Sequence, residues 1–111
     1  MRILVIDDDS VIAGLVRMIL TREGYDVAVE EDGPSGLRAA AETRPDLVLV
    51  DSRMPGMTGA EVVLALEAAP DTATVPVIVM SADWTAAEGG LRKPFEPAEL
   101  VATVQRHLPG R

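Results

Sequence analysis

Short apolar runs, separated by stretches with helical spacing, constrain the fold of this chain more than any other feature. The clearest runs span residues 2–6, 46–50 and 76–80. Each run is too short for a helix and rich in β-branched residues, which is typical of strands buried on both faces of a sheet. Because strands that alternate with helices form right-handed crossovers, the pattern predicts an α/β domain with a covered parallel sheet.

Two more strands and four helices complete the predicted order. A looser strand is expected at 26–30 and a very short one at 91–93. Capping residues, prolines and glycines predict helices from Asp9 or Ser10 to about residue 23, from Asp32 to about Thr43, from Thr58 to Pro70 and from Pro97 to Pro109. The apolar positions that recur at helical spacing are Val11, Ile12, Leu15, Met18 and Ile19 in the first helix, Val62, Val63, Leu66 and Ala69 in the third, and Leu100, Val101, Val104 and Leu108 in the last.

Length and composition exclude several classes of protein. A chain of 111 residues is long enough for one packed core and too short for two. It has no cysteine and a formal net charge of −8, which argues against disulfide stapling and against unaided binding to nucleic acid or anionic membranes. No apolar run reaches the roughly 18 residues that a membrane span needs. The first strand runs directly into three aspartates, unlike a signal peptide, so a cytoplasmic location is expected.

Polar side chains follow the predicted strands at the same end. The first strand is followed by Asp7 and Asp8, the third ends at Asp51, the fourth at Ser81, and the last at Lys93, the one lysine of the chain. Because the carboxyl ends of parallel strands meet at one edge of the sheet, these residues are expected to converge. Three carboxylates in one place repel each other unless cations intervene. Oxygen ligands of this kind suit Mg²⁺, and the absence of cysteine makes a zinc site improbable.

The same residue types fit phosphoryl transfer. Asp51 can act as a carboxylate nucleophile that becomes an acyl phosphate. A metal ion and Lys93 would neutralise charge on the phosphoryl oxygens, while the Ser81 hydroxyl and the Ala82 amide would donate hydrogen bonds to them. The simpler alternative is that Asp51 only caps the following turn and that the acidic triplet is a solvated loop.

Four motifs together resemble the receiver domain of two-component response regulators. They are residues 3–9, 46–59, 77–82 and 93–95, in this order and spacing. Each motif alone is a weak signal, whereas the full set covers nearly the whole chain. The resemblance implies a single receiver domain over residues 1–111. Its expected fold is flavodoxin-like and doubly wound, with five parallel strands in the order 2-1-3-4-5.

The resemblance also implies roles for individual residues. It makes Asp51 the phosphoacceptor, Ser81 the switch hydroxyl and Lys93 the invariant lysine, with a cis bond between Lys93 and Pro94. The expected ligands of Mg²⁺ or Mn²⁺ are Asp8, Asp51, Asp7 through a water, and the backbone carbonyl of Arg53. The positions expected to modulate the lifetime of the acyl phosphate are Arg53, Ala82 and Asp83.

Partners follow from the same resemblance. A histidine kinase or a histidine phosphotransfer protein would supply the phosphoryl group, and the output protein is not indicated by the sequence. The domain is expected to be a monomer or weak dimer without direct contacts to nucleic acid or membrane. It would catalyse only its own phosphorylation and dephosphorylation, so it is not expected to be an enzyme in the usual sense. The lack of an effector domain in these residues suggests a stand-alone receiver or an excised one.

Two departures from the family pattern lie between the fourth and fifth strands. Only eleven residues separate Ser81 from Lys93, fewer than receivers usually carry. A helix of roughly three turns does not fit there, so the fourth helix of the family is expected to be absent or reduced to about one turn around residues 85–88. Position 90 is a glycine where the family usually has an aromatic switch residue. Trp84 either replaces that aromatic or only covers apolar surface.

These departures leave a second function open, a degenerate, non-switching receiver that acts as a protein-interaction module. The intact set of acidic, hydroxyl and lysine side chains opposes it. A phosphatase with an aspartate nucleophile is less compatible, because haloacid-dehalogenase-type enzymes need a second aspartate where this chain has Arg53. His107 is expected to be an exposed residue at a helix end rather than a phosphodonor.

Overall fold

The computed structural model describes residues 1–82 and 90–108 of the chain. Its elements are β1 (Arg2–Ile6), α1 (Ser10–Arg22), β2 (Asp26–Glu30), α2 (Gly33–Thr43), β3 (Leu47–Asp51), α3 (Gly59–Ala68), β4 (Val77–Ser81), β5 (Leu91–Arg92) and α4 (Pro97–His107). The strands form one parallel sheet in the order β2-β1-β3-β4-β5. The predicted α/β, flavodoxin-like fold with strand order 2-1-3-4-5 is therefore confirmed.

Local side-chain caps explain where three helices begin. The Asp9 carboxylate accepts hydrogen bonds from the first free amides of α1, and Asp32 accepts one at the start of α2. Thr58 and Glu61 form a reciprocal capping box at the start of α3. Such caps satisfy backbone amides that have no partner within the helix. Because they involve residues close in sequence, the predicted helix starts agree with the structure.

The buried side of α1 differs from the positions used to predict it. Val11, Leu15 and Met18 are 76%, 40% and 48% exposed, respectively. The residues buried against the sheet are Ala13, Val16 and Leu20, while Ile12 and Ile19 are partly buried beside them. Apolar residues surround most of this helix, so its periodicity could not select the side that faces the sheet.

The other two helices with predicted inward positions agree more closely. In α3, Val62 and Leu66 are buried and Val63 is partly buried, but Ala69 is exposed because the helix has already ended. In α4, the residues expected to face inward are buried or half-buried: Leu100, Val101, Val104 and, just after the helix, Leu108.

Two hydrophobic cores lie on opposite faces of the sheet. On the first face, α1 and α4 pack on alternate strand residues such as Ile3, Leu49 and Met80. On the second face, α2 and α3 pack on the intervening residues, including Leu4 and Val50. Side chains alternate between faces along each strand, so β1 and β3 contribute to both cores. In the parts of the chain that the structure describes, no helix is long and apolar enough to cross a membrane.

The region after β4 is described only at its two ends. Ala82 is exposed and Gly90 is half-buried against β4. A side chain at position 90 would overlap the backbone carbonyl oxygen of Val79. The expected reduction of the family's fourth helix around residues 85–88, and the role of Trp84, lie outside the described residues and stay predictions.

Candidate functional site

The carboxyl ends of four neighbouring strands form the candidate site. In the sheet register, Asp51 pairs with Met80 and Ser81 pairs with Arg92. The strands are parallel, so Asp51, Ser81 and the residue after β5, Lys93, lie at the same edge as Asp7, which follows β1. This is the edge at which open α/β sheets generally bind ligands.

Lys93 joins the ends of β1 and β3. Its Nζ donates to Oδ2 of Asp7 at 2.9 Å and to Oδ1 of Asp51 at 3.1 Å. Its side chain is only 16% exposed, so both hydrogen bonds are charge-assisted contacts with limited access to solvent. The Lys93 amide donates to the Ser81 carbonyl at 2.7 Å, and the Lys93–Pro94 bond is cis, as expected.

Three carboxylates lie close together at this edge of the sheet. Asp7, Asp8 and Asp51 each present an oxygen, and these three atoms lie within 4.8 Å of one another. Asp7 is buried and also accepts a hydrogen bond from the Asp9 amide at 3.0 Å, whereas Asp8 is exposed. Convergent carboxylate oxygens with access to water are the donor set that Mg²⁺ uses. These residues therefore fit a hard divalent cation.

The electrostatics of the site favour an additional positive charge. Burial raises the pKa of the Asp51 carboxyl, the hydrogen bond from Lys93 opposes this, and the negative charges of Asp7 and Asp8 add to it. For Lys93, burial lowers the pKa, but the hydrogen bonds and charges of Asp7 and Asp51 outweigh it, so the pKa lies above its ordinary value. The pKa of Asp51 is thus raised mainly by burial, with the neighbouring carboxylates adding to it, and the pKa of Lys93 is raised by its two carboxylate partners.

An open cleft of about 440 Å³ adjoins this cluster. It is lined by Asp51, Ser52, Arg53, Ser81, Ala82 and Lys93. Liquid water occupies about 30 Å³ per molecule, so the cleft has room for a phosphoryl group together with several waters. The Ser81 side chain is buried and its Oγ accepts a hydrogen bond from Oγ of Ser52 at 2.9 Å.

The structure brings together the acidic residues, Ser81 and Lys93, as their positions at the strand ends predicted. Arg53 and Ala82 line the same cleft and are exposed. The roles predicted for these residues, including that of the Arg53 carbonyl as a metal ligand, stay predictions. Asp83 lies outside the described residues.

Two residues differ from what the sequence suggested. His107, expected to be exposed, is half-buried near the end of α4, where its Nδ1 lies 2.8 Å from the carbonyl oxygen of Thr103. It is at the end of a helix that leads away from the site edge. Ser52 was not among the predicted site residues, although its hydroxyl contacts Ser81. Its place directly after Asp51 was the available signal, but the two serines are 29 positions apart in sequence.

Comparison with known proteins identifies the family. Residues 3–105 match the family described as response regulator receiver domain. The DNA-binding response regulator MtrA of Mycobacterium tuberculosis strain H37Rv is 40% identical over an alignment that covers 96% of this chain and 50% of MtrA. The chain thus spans about half the length of this curated relative.

Solved structures of similar chains have the same fold. The chemotaxis protein CheY4 of Vibrio cholerae is 31% identical, with a TM-score of 0.87 over 96% of this chain and 98% of CheY4. The receiver domain of the sensor histidine kinase PA1611 from Pseudomonas aeruginosa is 29% identical, with a TM-score of 0.84 over 96% and 95% of the two chains. The latter structure is described with a magnesium ion coordinated in its active site cleft. On its sequence match, its strand order and the residues at its strand ends, the chain belongs to the response regulator receiver domain family.

Proposed function

We propose that this receiver domain accepts a phosphoryl group on Asp51 from a phosphohistidine and signals through the resulting change in conformation. The donor would be a histidine kinase or a histidine phosphotransfer protein. The observation that carries the proposal is the position of the Lys93 ammonium, within hydrogen-bonding distance of both Asp7 and Asp51 at the mouth of an open cleft. That arrangement holds one carboxylate ready for attack and supplies positive charge beside it.

The transfer step is a substitution at phosphorus. A carboxylate oxygen of Asp51 attacks, the new P–O bond forms, and the P–N bond of the phosphohistidine breaks. The imidazole nitrogen leaves with the bonding electron pair and takes up a proton, so the partner histidine becomes neutral. Raised electron density on the equatorial oxygens is the main feature that the site has to stabilise.

Several residues of this chain would stabilise those oxygens. Lys93 would exchange its contact with Asp51 for one with the phosphoryl group, and the Ser81 hydroxyl and the Ala82 amide would donate hydrogen bonds. The residues proposed to hold Mg²⁺ or Mn²⁺ are Asp8, Asp51, Asp7 through a water, and the carbonyl of Arg53. When bound, the ion would neutralise part of the phosphoryl charge. Arg53 and Asp83 are proposed to influence hydrolysis of the acyl phosphate.

The proposed output passes to another domain or protein of unidentified type. MtrA is named as a DNA-binding response regulator, but this chain spans half of its length and carries a net charge of −8. Direct binding of these residues to nucleic acid is therefore not proposed. Receiver domains are not enzymes in the usual sense, and the proposed chemistry is limited to the domain's own modification, in the cytoplasm.

A second candidate function is a non-switching interaction module, and one observation favours it. A side chain at position 90 would overlap the Val79 carbonyl, so the aromatic residue that the family uses for switching has no room at Gly90. A domain that accepts a phosphoryl group without any change in conformation would fit the non-switching interaction module.

Mass spectrometry of the intact protein tests the main proposal. With Mg²⁺ and acetyl phosphate, the parent protein is expected to gain one phosphoryl group, and Asp51→Asn is expected to gain none. Asp9→Asn is the matched control, because Asp9 caps α1, asparagine caps equally well, and the residue is outside the acidic cluster. Failure of the parent to gain mass, or equal labelling of Asp51→Asn, would overturn the proposal. Amide exchange before and after labelling separates a switch from the non-switching alternative.

A further inference from the structure

We propose that Ser52 is a positioning residue for phosphoryl transfer and that it acts through the hydroxyl of Ser81. This inference rests on the proposed function and assigns a role to a residue to which the family resemblance gave none. Its basis is the hydrogen bond of 2.9 Å that Oγ of Ser52 donates to Oγ of Ser81. Both side chains line the cleft beside Asp51 and Lys93.

The backbone of Ser52 is held on both sides. Its amide donates to the Met80 carbonyl at 2.8 Å, and its carbonyl accepts from the Gly59 amide at 3.0 Å. The turn after β3 closes tightly here, because a side chain at Gly59 would have its Cβ 2.5 Å from the Asp51 carbonyl oxygen and 2.9 Å from the Cα of Ser52. With its backbone anchored, Ser52 can move its hydroxyl only by rotation about one side-chain bond.

The backbone of Ser81 is also anchored, by its place at the end of β4. It is the last residue of β4, is fully buried, and its carbonyl accepts the hydrogen bond from the Lys93 amide. A serine side chain has three staggered rotamers. The contact with the anchored Ser52 hydroxyl favours one of them, so the Ser81 oxygen has a defined position before any phosphoryl group arrives.

The chemistry of two linked hydroxyls explains why this arrangement would aid transfer. A hydroxyl can accept hydrogen bonds and donate one at the same time. Once a phosphoryl group is bound, Ser81 can accept from Ser52 and donate to a phosphoryl oxygen, and the two bonds then polarise each other in the same direction. A donor that is already oriented needs less reorganisation as charge develops on the phosphoryl oxygens.

A double-mutant cycle tests the inference. The variants are Ser52→Ala, Ser81→Ala and the double variant, with Thr21→Val as a control that removes an exposed hydroxyl at the far end of α1. Two quantities are measured in the presence of Mg²⁺: the rate of phosphorylation by acetyl phosphate and the affinity for beryllofluoride, followed by fluorine NMR. A neutral hydrogen bond is worth about 1 kcal/mol, which is roughly a fivefold change.

Ser52→Ala is therefore expected to lower both quantities about fivefold in the parent and to have no effect when Ser81 is already alanine. Ser52→Thr, which keeps the hydroxyl, is expected to retain most of the parental values. Thermal melts of all four variants measure stability separately, so a loss of stability alone is distinguished from an effect on phosphorylation and on beryllofluoride binding.

Two results would overturn the inference while leaving the proposed function intact. One is a Ser52→Ala effect of equal size in both backgrounds, which would mean that Ser52 does not act through Ser81. The other is no effect of Ser52→Ala on a parent that is phosphorylated normally. A parent that neither gains a phosphoryl group nor binds beryllofluoride would remove the proposed function, and the inference with it.

Discussion

Strands β3 and β4 are neighbours of equal length and similar composition, yet their side chains are buried to different extents. All five residues of β3 are buried, whereas in β4 Val77 and Val79 are only half-buried and the other three residues are buried. Two valines of β3, Val48 and Val50, pair in register with Val77 and Val79 of β4. The β3 valines are fully buried and their β4 partners are not.

The residues of the site follow two strands that differ in burial. Asp51 ends the fully buried strand, while Ser81 ends the strand with weaker cover and is linked through its backbone to Lys93. Regions with fewer buried apolar contacts open at lower free energy. The proposed phosphoacceptor thus ends the more fully buried strand, and Ser81, which is proposed to contact the phosphoryl group, ends the strand whose two valines are less buried. The following predictions test this comparison, from the largest expected effect to the smallest.

The largest effect is expected where the chain packs most tightly on β4. Gly90→Ala would place a methyl group against the Val79 carbonyl, and overpacking against backbone is expected to lower the free energy of unfolding by about 3 kcal/mol. Gly14→Ala is the control, since Gly14 is exposed in α1 with open space around it. That change is expected to stabilise the protein by about 0.5–1 kcal/mol. Urea unfolding measures both, and a neutral Gly90→Ala would show that this contact is not tight.

Alanine substitutions at the paired valines test directly whether β3 is more deeply buried than β4. Val50→Ala is expected to cost about 2 kcal/mol, because it removes buried methyl groups and leaves a cavity. Val79→Ala removes the same atoms from a half-buried site and is expected to cost less than about 1 kcal/mol. Equal losses in urea unfolding would contradict the comparison.

A smaller effect is expected from the charge at the end of β3. Because burial raises the pKa of Asp51 in the folded state, the folded protein binds more protons than the unfolded chain above the ordinary carboxyl pKa. Stability from this group therefore falls as pH rises through that window. In metal-free protein, Asp51→Asn is expected to be more stable at neutral pH and to lack this slope. Ser81→Ala, at the uncharged end of β4, should keep the parental slope in unfolding curves measured across pH.

The smallest effect is expected at Asp32, outside both strands. The hydrogen bond from the Ser35 amide lowers the pKa of its carboxyl, so its contribution is present above the ordinary carboxyl pKa and is lost as pH falls through the folded value. Asp32→Ala is expected to destabilise the protein slightly at neutral pH and less in acid, the opposite trend to Asp51→Asn. The same pH series measures it, with Asp32→Asn as the variant that retains a cap.

Much of the fold followed from local patterns. The five strands, the four predicted helix starts and the order 2-1-3-4-5, the last through a family resemblance, agree with the structure. The buried side of α1 did not follow, because Val11, Leu15 and Met18 are as apolar as the residues that face the sheet. The lower burial of Val77 and Val79 in β4 was not predictable either, because the apolar run of β4 resembles that of β3 and burial depends on how the rest of the chain packs against each strand.

The sequence by itself determined which residues end each strand, and so which carboxylates, hydroxyl and ammonium could reach one edge of the sheet. Short-range patterns suffice for this, because alternation along a strand and caps at a helix involve near neighbours. Only the tertiary structure decided that Lys93 contacts Asp7, 86 positions away, and that Ser52 contacts Ser81. Those contacts depend on strand register and on the closure of a turn, which are set by the packing of the whole domain.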